Sequence, residues 1–561
     1  MRMKKIWLFV VSYIILAHAI NIETLNHNSD NLFYVNPWMG EVKLRATKGA
    51  VSEAFVLYAG KRIKMNIGFQ DAKFDYFTAD IGRFDTSLTY QFLVYDKTDS
   101  LFAPQSGIFK SAIPVFSIPE WAYGKIYYSI FPDGFYNANP LNDPRGVVSW
   151  DKEPVSDKEF LYGGDLAGII EKLPYLDSLN FDILLLQPIQ PASTNHKYNP
   201  RTYASMDSTL GDTTQLKQLI NALHSRGKKV ILKFIVTHTG NDFPAFLDII
   251  KNGESSKYYT WYNIRGVPVK TSPPNYDCWL GDARFPKLNL KDNSTKAFLY
   301  GYIDYWLHFG FDGIYIGEDN KIDTDFVREL KNFLRKKYPM IILLGSSENT
   351  GVNGFDGTTN KKLTDLIINF FARKILATSD FDNELHKLLF FNPSQVNLTN
   401  LIDLSDFDKR IAGITDADNL TLIYAFLLTF CGSPVITFAD EVGKAEGKRF
   451  NMGSFPWITA KQNRSLFEEI KKLINIRKSN PILSNKYFFT LYVNDINRVY
   501  AYDRGGIIVV INSGDTPCFV ALSAWNDTYT DLTTGEKHIV ANQQLKLSLP
   551  ARSYKIFRRE L

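Results

Sequence analysis

Side chains able to do chemistry stand near the ends of short apolar runs. His238 follows VILKFIV, and Asp406 closes NLIDLSD. Asp319 lies two residues beyond Gly317, and Glu348 lies two beyond Ser346. Side chains alternate along an extended strand, so residues two apart share a face. Asp319 and Glu348 thus keep the parity of Gly317 and Ser346, about 6–7 Å further along if the strands continue. Aromatic rings are the second resource. The chain has 9 Trp, 30 Tyr and 41 Phe, which suit core and sheet packing or platforms for flat ligand faces such as sugar rings. Three scattered cysteines, Cys278, Cys431 and Cys518, offer neither a disulfide framework nor a zinc spacing. The net charge of +5 is spread over 561 residues without long runs of one sign, so no nucleic-acid partner is expected.

The elements that must position these groups are legible in the pattern. The length implies three or four domains, and 45% hydrophobic with 22% charged residues is an ordinary globular composition. Arg2, Lys4 and Lys5, the apolar stretch from Ile6 to Leu16 and the small residues Ala17-His18-Ala19 read as a signal peptide over residues 1–19. Cleavage after Ala19 and export, to a periplasm or beyond, are the expectation. Residues 20–119 carry the alternating segments EVKLRATKG, AFVLYAG, KFDYFTADIG and TYQFLVYD, which predict an N-terminal β-sandwich. Over residues 120–482 eight strand-like runs alternate with helical patterns: KIYYSIF, FDILLLQP, VILKFIV, GIYIG, MIILLGS, DLIINF, NLIDLSD and PVITFAD. That order predicts an α/β fold, a (β/α)8 TIM barrel with catalytic groups at the C-terminal strand ends. Residues 240–289 are too long for a βα loop and are expected to form an excursion over the barrel mouth. Residues 483–561 return to alternation and predict a C-terminal antiparallel β-domain.

Read at the strand ends, the sequence resembles the α-amylase family of glycoside hydrolases (family 13), in its neopullulanase and cyclomaltodextrinase branch. The landmarks are Phe160-Leu161-Tyr162-Gly163-Gly164-Asp165-Leu166, His196-Lys197-Tyr198, His238-Thr239-Gly240 and Phe285-Pro286-Lys287-Leu288-Asn289. The resemblance implies a starch-binding-type N-terminal module and a retaining mechanism on two carboxylates ~5–5.5 Å apart. Here the motif positions are degenerate. Gly317 stands at the nucleophile position, Tyr315 at the arginine, Ser346 at the acid, and Lys233 and Thr237 in the strand-3 motif, while His238 and Asp406 are retained. A lysine near a cationic transition state opposes it. The expected function is therefore a pseudo-glycosidase that binds α-glucan or maltooligosaccharide without hydrolysing it. The alternatives are an active α-glucan hydrolase using the displaced carboxylates Asp319 and Glu348, and a structural or interaction protein with an exported protein partner.

The resemblance also assigns lesser roles. Tyr198 is expected to stack under a sugar, with His238 and Asp406 contacting substrate, and Asp440 and Glu441 are expected to be structural. Trp261, Tyr262 and Trp279 either line a groove or fill the core of the excursion. A structural calcium ion is implied at the start of the barrel, held by Asn137, Asn139, Asn142, Asp143, Asp165 and the Gly163 carbonyl, an oxygen-only set suited to a hard cation. A homodimer through the N-terminal sandwich is likewise implied.

Overall fold

The computed structural model describes residues 22–560 apart from 32, 38, 85–86, 98, 112–117, 156–158, 318–321, 347–353, 393–396, 398, 406–409 and 448–451. The signal-peptide segment, Asp319, Glu348 and Asp406 lie outside the described residues. The chain divides into two compact units, residues up to 117 and residues from 118 on.

The first unit is built of antiparallel strands around one core, in which Val42, Leu44, Val56, Phe77, Phe92 and Val94 are buried. All four alternating segments form strands: Glu41–Thr47, Glu53–Tyr58, Phe74–Asp80 and Leu88–Tyr95. A fifth long strand, Lys61–Gln70, escaped the pattern because Met65 is its one buried residue. Its first half pairs with Glu53–Tyr58 and its second with Phe74–Asp80, and a bulge between Ile67 and Phe69 breaks the register. The strand thus links two sheets, as bulges that bend strands allow.

In the second unit eight parallel strands close into a barrel. Strands 1 to 8 are Tyr127–Ile130, Ile183–Leu186, Lys229–Lys233, Gly313–Ile316, Ile342–Ser346, Gly357–Thr359, Leu401–Asp403 and Ser433–Thr437. Every residue of strands 1, 2, 4 and 8 is buried, as a parallel sheet covered on both faces requires. Several outer helices start at an Asp or Asn whose side chain accepts a backbone N–H of the first turn, as at Asp212, Asp292, Asp323, Asp416 and Asn463. Each such cap contributes about 1 kcal/mol.

One strand differs from expectation. DLIINF is helical, within Lys361–Ile367 and the π-turn Ile368–Ala372, and strand 6 is the short Gly357–Thr359. A run of six apolar-rich residues cannot be told from a buried helix by periodicity. Leu363, Leu366, Ile367 and Phe370 recur at helical spacing and are buried.

The C-terminal strands form a six-stranded antiparallel sheet with a two-stranded companion. Two buried arginines brace this part of the molecule, Arg477 within the barrel and Arg504 between the C-terminal domain and the barrel. Arg477 donates to the carbonyls of Gly124, Leu428, Phe430 and Gly432, and Arg504 to those of Thr429, Leu483 and Asn485.

Candidate functional site

The floor of the barrel mouth is set by register. Lys233, the last residue of strand 3, lies beside Tyr315 on strand 4, and both are buried. Lys233 Nζ donates to the Tyr198 hydroxyl at 2.9 Å and lies 4.6 Å from the Tyr198 ring and 5.2 Å from the Tyr315 ring. A cation held over two phenol rings is attracted by their quadrupoles. Tyr198 Oη donates in turn to Gln187 Oε1 at 3.2 Å, and Gln187 Nε2 donates to Ser129 Oγ at 3.0 Å. The turn carrying Tyr198 is held by the Lys197–Asp207 ion pair at 2.6 Å, with Lys197 at φ +59°. Burial pushes the pKa of His196 down to about 3, so its neutral Nδ1 accepts the Tyr198 N–H at 3.2 Å.

The excursion covers this floor. Trp279 stacks on His238 with ring centroids 4.5 Å apart and planes within 10°. Tyr198 packs with Ile235, Trp279 and Phe285 in one buried cluster. Tyr198 and His238, the expected sugar contacts, are each 0% exposed, so neither presents a face to a ligand in this arrangement. Trp261 and Tyr262 are buried as well, bonded to Ser294 and Thr239 and packed into the main core of the barrel, so none of the three aromatics lines an open groove. A single motif residue gives no sign of being covered, so neither this burial nor the Lys233–Tyr198–Tyr315 cluster was legible in advance.

Gly317 and Ser346 come together at the ends of strands 4 and 5, where Ile316 pairs with Gly345. Gly317 has φ +144°, and a Cβ built there would stand 2.3 Å from the Ser346 amide nitrogen. Only glycine fits. An aspartate at this position would require the two strand ends to separate, so the backbone itself demands glycine here. Neither position offers a carboxylate.

At strand 8 both acids are buried and partnered, though Glu441 Oε2 has no hydrogen-bond partner among the described residues. Asp440 pairs with buried Arg410 at 2.8 Å, and Arg410 also donates to the carbonyls of Phe438 and Met452. Glu441 Oε1 accepts the hydroxyls of Tyr128 at 2.7 Å and Tyr175 at 2.6 Å. Burial raises the Glu441 pKa to about 7 despite these bonds.

The expected calcium residues converge after strand 1. Asn137 Nδ2 donates to Asp143 Oδ1 at 2.8 Å, and a Cβ on Gly163 (φ +79°) would fall 2.5 Å from that carboxyl oxygen. Asp165 accepts the N–H of Asn139 at 2.9 Å and of Gly168 at 2.6 Å, which caps the helix Leu166–Glu171. The buried side-chain oxygens of Asn137 and Asn142 have no hydrogen-bond partner among the described residues. Orphaned oxygens beside a carboxylate fit a hard cation.

An α-amylase catalytic-domain profile matches residues 129–454. The cyclomaltodextrinase of Geobacillus thermopakistaniensis is 31% identical over 87% of this chain and 88% of its own length. Neopullulanase 2 of Thermoactinomyces vulgaris is 30% identical over 91% and 94%. A solved cyclomaltodextrinase structure superposes with a TM-score of 0.87 at 26% identity, covering 96% of this chain and all of its own. These relatives correct the expectation of a non-hydrolysing pseudo-glycosidase. Likeness at this level, over most of the chain, is to proteins named cyclomaltodextrinase and neopullulanase, which favours the alternative of an active α-glucan hydrolase over a non-hydrolysing binder. The chain belongs to the α-amylase family of glycoside hydrolases, family 13.

Proposed function

We propose that the chain hydrolyses α-glucosidic bonds in α-glucans or maltooligosaccharides, with Asp319 as nucleophile and Glu348 as acid and base. One observation carries this reading. The floor of the mouth is filled to the level of Tyr198, Trp279 and Lys233, so a sugar must lie further out than strand ends 317 and 346. Asp319 and Glu348 each stand two residues beyond those positions in the sequence, and the reading requires that their carboxyls come to the ~5–5.5 Å separation that retention needs. Glu348 then protonates the glycosidic oxygen while Asp319 attacks the anomeric carbon. The glycosyl-enzyme is released by a water that Glu348 deprotonates. Relatives named cyclomaltodextrinase and neopullulanase support the substrate class. Gly317 and Ser346 take no part, so the mechanism is not that of the family's own positions.

The test is reducing-end release from maltooligosaccharides and cyclodextrins by wild type and an Asp319→Asn, Glu348→Gln double variant. Wild-type turnover that falls roughly 10³-fold or more in the double variant is expected. No release by wild type, or equal release by both, overturns the reading.

The calcium site belongs to the same proposal. Asn137, Asn139, Asn142, Asp143, Asp165 and the Gly163 carbonyl would hold an ion that braces the start of the barrel by mass action. A melting temperature insensitive to chelator and to added calcium would count against it. Export after cleavage at Ala19 and pairing of two copies through the N-terminal sheets complete the proposal. N-terminal sequencing of the mature protein and sedimentation over a concentration range check these two.

A further inference from the structure

A groove of about 820 Å³ lies between the C-terminal sheet and the turn that joins it to the barrel, within the size range of small-ligand sites. Its wall carries three large rings turned to solvent. Trp525 is 69% exposed, Phe489 57% and Tyr487 45%. Rings gathered in one concavity and left out of the core are the kind of exposed apolar surface that marks a binding site. They are held in place before any ligand arrives. The Arg559 guanidinium lies 5.8 Å from the Trp525 ring and is fixed by Asp527 at 2.9 Å. Phe489 sits on a strand whose partner across the ladder is Asp503. Tyr487 belongs to a segment whose carbonyls, at 485 and 487, are gripped by buried Arg504.

Polar side chains share the lining, among them Asp503, Gln543 and Arg558. Within the lining Arg558 and Asp503 offset each other, and Arg559 is neutralised by its pair with Asp527, which lies outside the lining. A groove without a surplus of either sign selects against nucleic acid and anionic lipid headgroups. What it matches is a neutral ligand with flat apolar faces and a rim of hydroxyls. Pyranose rings have that form. Their CH faces stack on aromatic rings, while the hydroxyl edges bond to carboxylate, amide and guanidinium groups.

The geometry points to a second glucan-binding site in this groove, distinct from the barrel mouth, that holds a linear α-glucan chain on Trp525, Phe489 and Tyr487. The choice of α-glucan over other neutral sugars rests on the hydrolase reading above; the groove itself does not depend on it. Its role is to keep a long polymer attached while the mouth works on one of its bonds, which raises the effective concentration of cleavable links.

The test is migration of the full-length protein through native gels containing amylose, dextran or no polysaccharide, for wild type and a Trp525→Ala, Phe489→Ala double variant. Both rings are exposed, so the variant's melting temperature should stay within a degree or two of wild type. Retardation by amylose that weakens about tenfold or more in the variant is expected, with maltotriose turnover unchanged because so short a substrate does not need the groove. Amylose retardation lost in the variant while wild type hydrolyses nothing keeps the groove and overturns the hydrolase reading. Turnover with retardation equal in both proteins overturns the groove and keeps the hydrolase. No retardation of wild type, retention on dextran alone, or a variant altered only in its self-association each overturn the groove.

Discussion

Strand 8 and strands 3 to 5 end at the same barrel mouth and solve the problem of buried polarity in opposite ways. At strand 8 two buried acids have partners, Asp440 in Arg410 and Glu441 Oε1 in two tyrosine hydroxyls, while Glu441 Oε2 is left without one among the described residues. At the ends of strands 3 to 5 stand Lys233, Tyr315, Gly317 and Ser346, none of them an acid, and the Tyr198 and Trp279 rings pack beside Lys233. A buried carboxylate survives only where partners surround it, because an unpaired buried charge is costly. The edge at strand 8 is scaffold. The edge at strands 3 to 5 is filled by packed rings and the Lys233 side chain.

The largest effect that would break the contrast lies at strand 8. Arg410→Met leaves Asp440 buried without its cation, and a loss of about 3–5 kcal/mol is expected in denaturant unfolding. A loss below about 1 kcal/mol would mean that the pair is not the anchor described. Next comes the closed edge. Gly317→Asp should cost roughly 3 kcal/mol through overpacking against Ser346 and strained φ, and should not raise activity above wild type. A stable Gly317→Asp variant would show that the strand ends separate easily.

Titration sharpens the comparison further. The Glu441 pKa is near 7 in the folded chain against 4.5 in a free side chain. Between these values the folded state holds a proton that the unfolded state has lost, so stability falls as pH rises from about 4.5 to 7 and then levels off. The drop attributable to Glu441 is on the order of 3 kcal/mol. Glu441→Gln should remove that part of the slope while keeping an acceptor for Tyr128 and Tyr175. An unchanged pH profile contradicts the assignment.

The smallest expected effect is at Lys233. Lys233→Met removes one hydrogen bond to Tyr198, which still has Gln187, and about 1 kcal/mol is the expected cost. A loss of several kcal/mol would make the lysine a keystone of the floor.

The barrel was legible because its strands are dense in β-branched and aliphatic residues and its caps are Asp and Asn at helix starts. Strand 6 was not, since the three residues of Gly357–Thr359 carry no periodicity, while the louder DLIINF beside them is helical. Lys61–Gln70 was missed for the converse reason: a strand exposed on both faces does not alternate. At the site, substitutions at 233, 315, 317 and 346 could be read position by position. Their packing consequence could not, because it depends on Trp279 arriving from the excursion to stack on His238, and nothing local to either residue encodes that meeting. The need for glycine at 317 was equally hidden, being set by the approach of Ser346 across two strands.

The most direct measurement of the central claim is covalent trapping. Retaining hydrolysis passes through a glycosyl-enzyme, so the full-length protein incubated with a 5-fluoro-α-maltosyl fluoride should accumulate one adduct, located by peptide mass spectrometry. The account predicts that the sugar is esterified to Asp319 and that Asp319→Asn abolishes the label. No adduct, or an adduct on any other carboxylate, would contradict it.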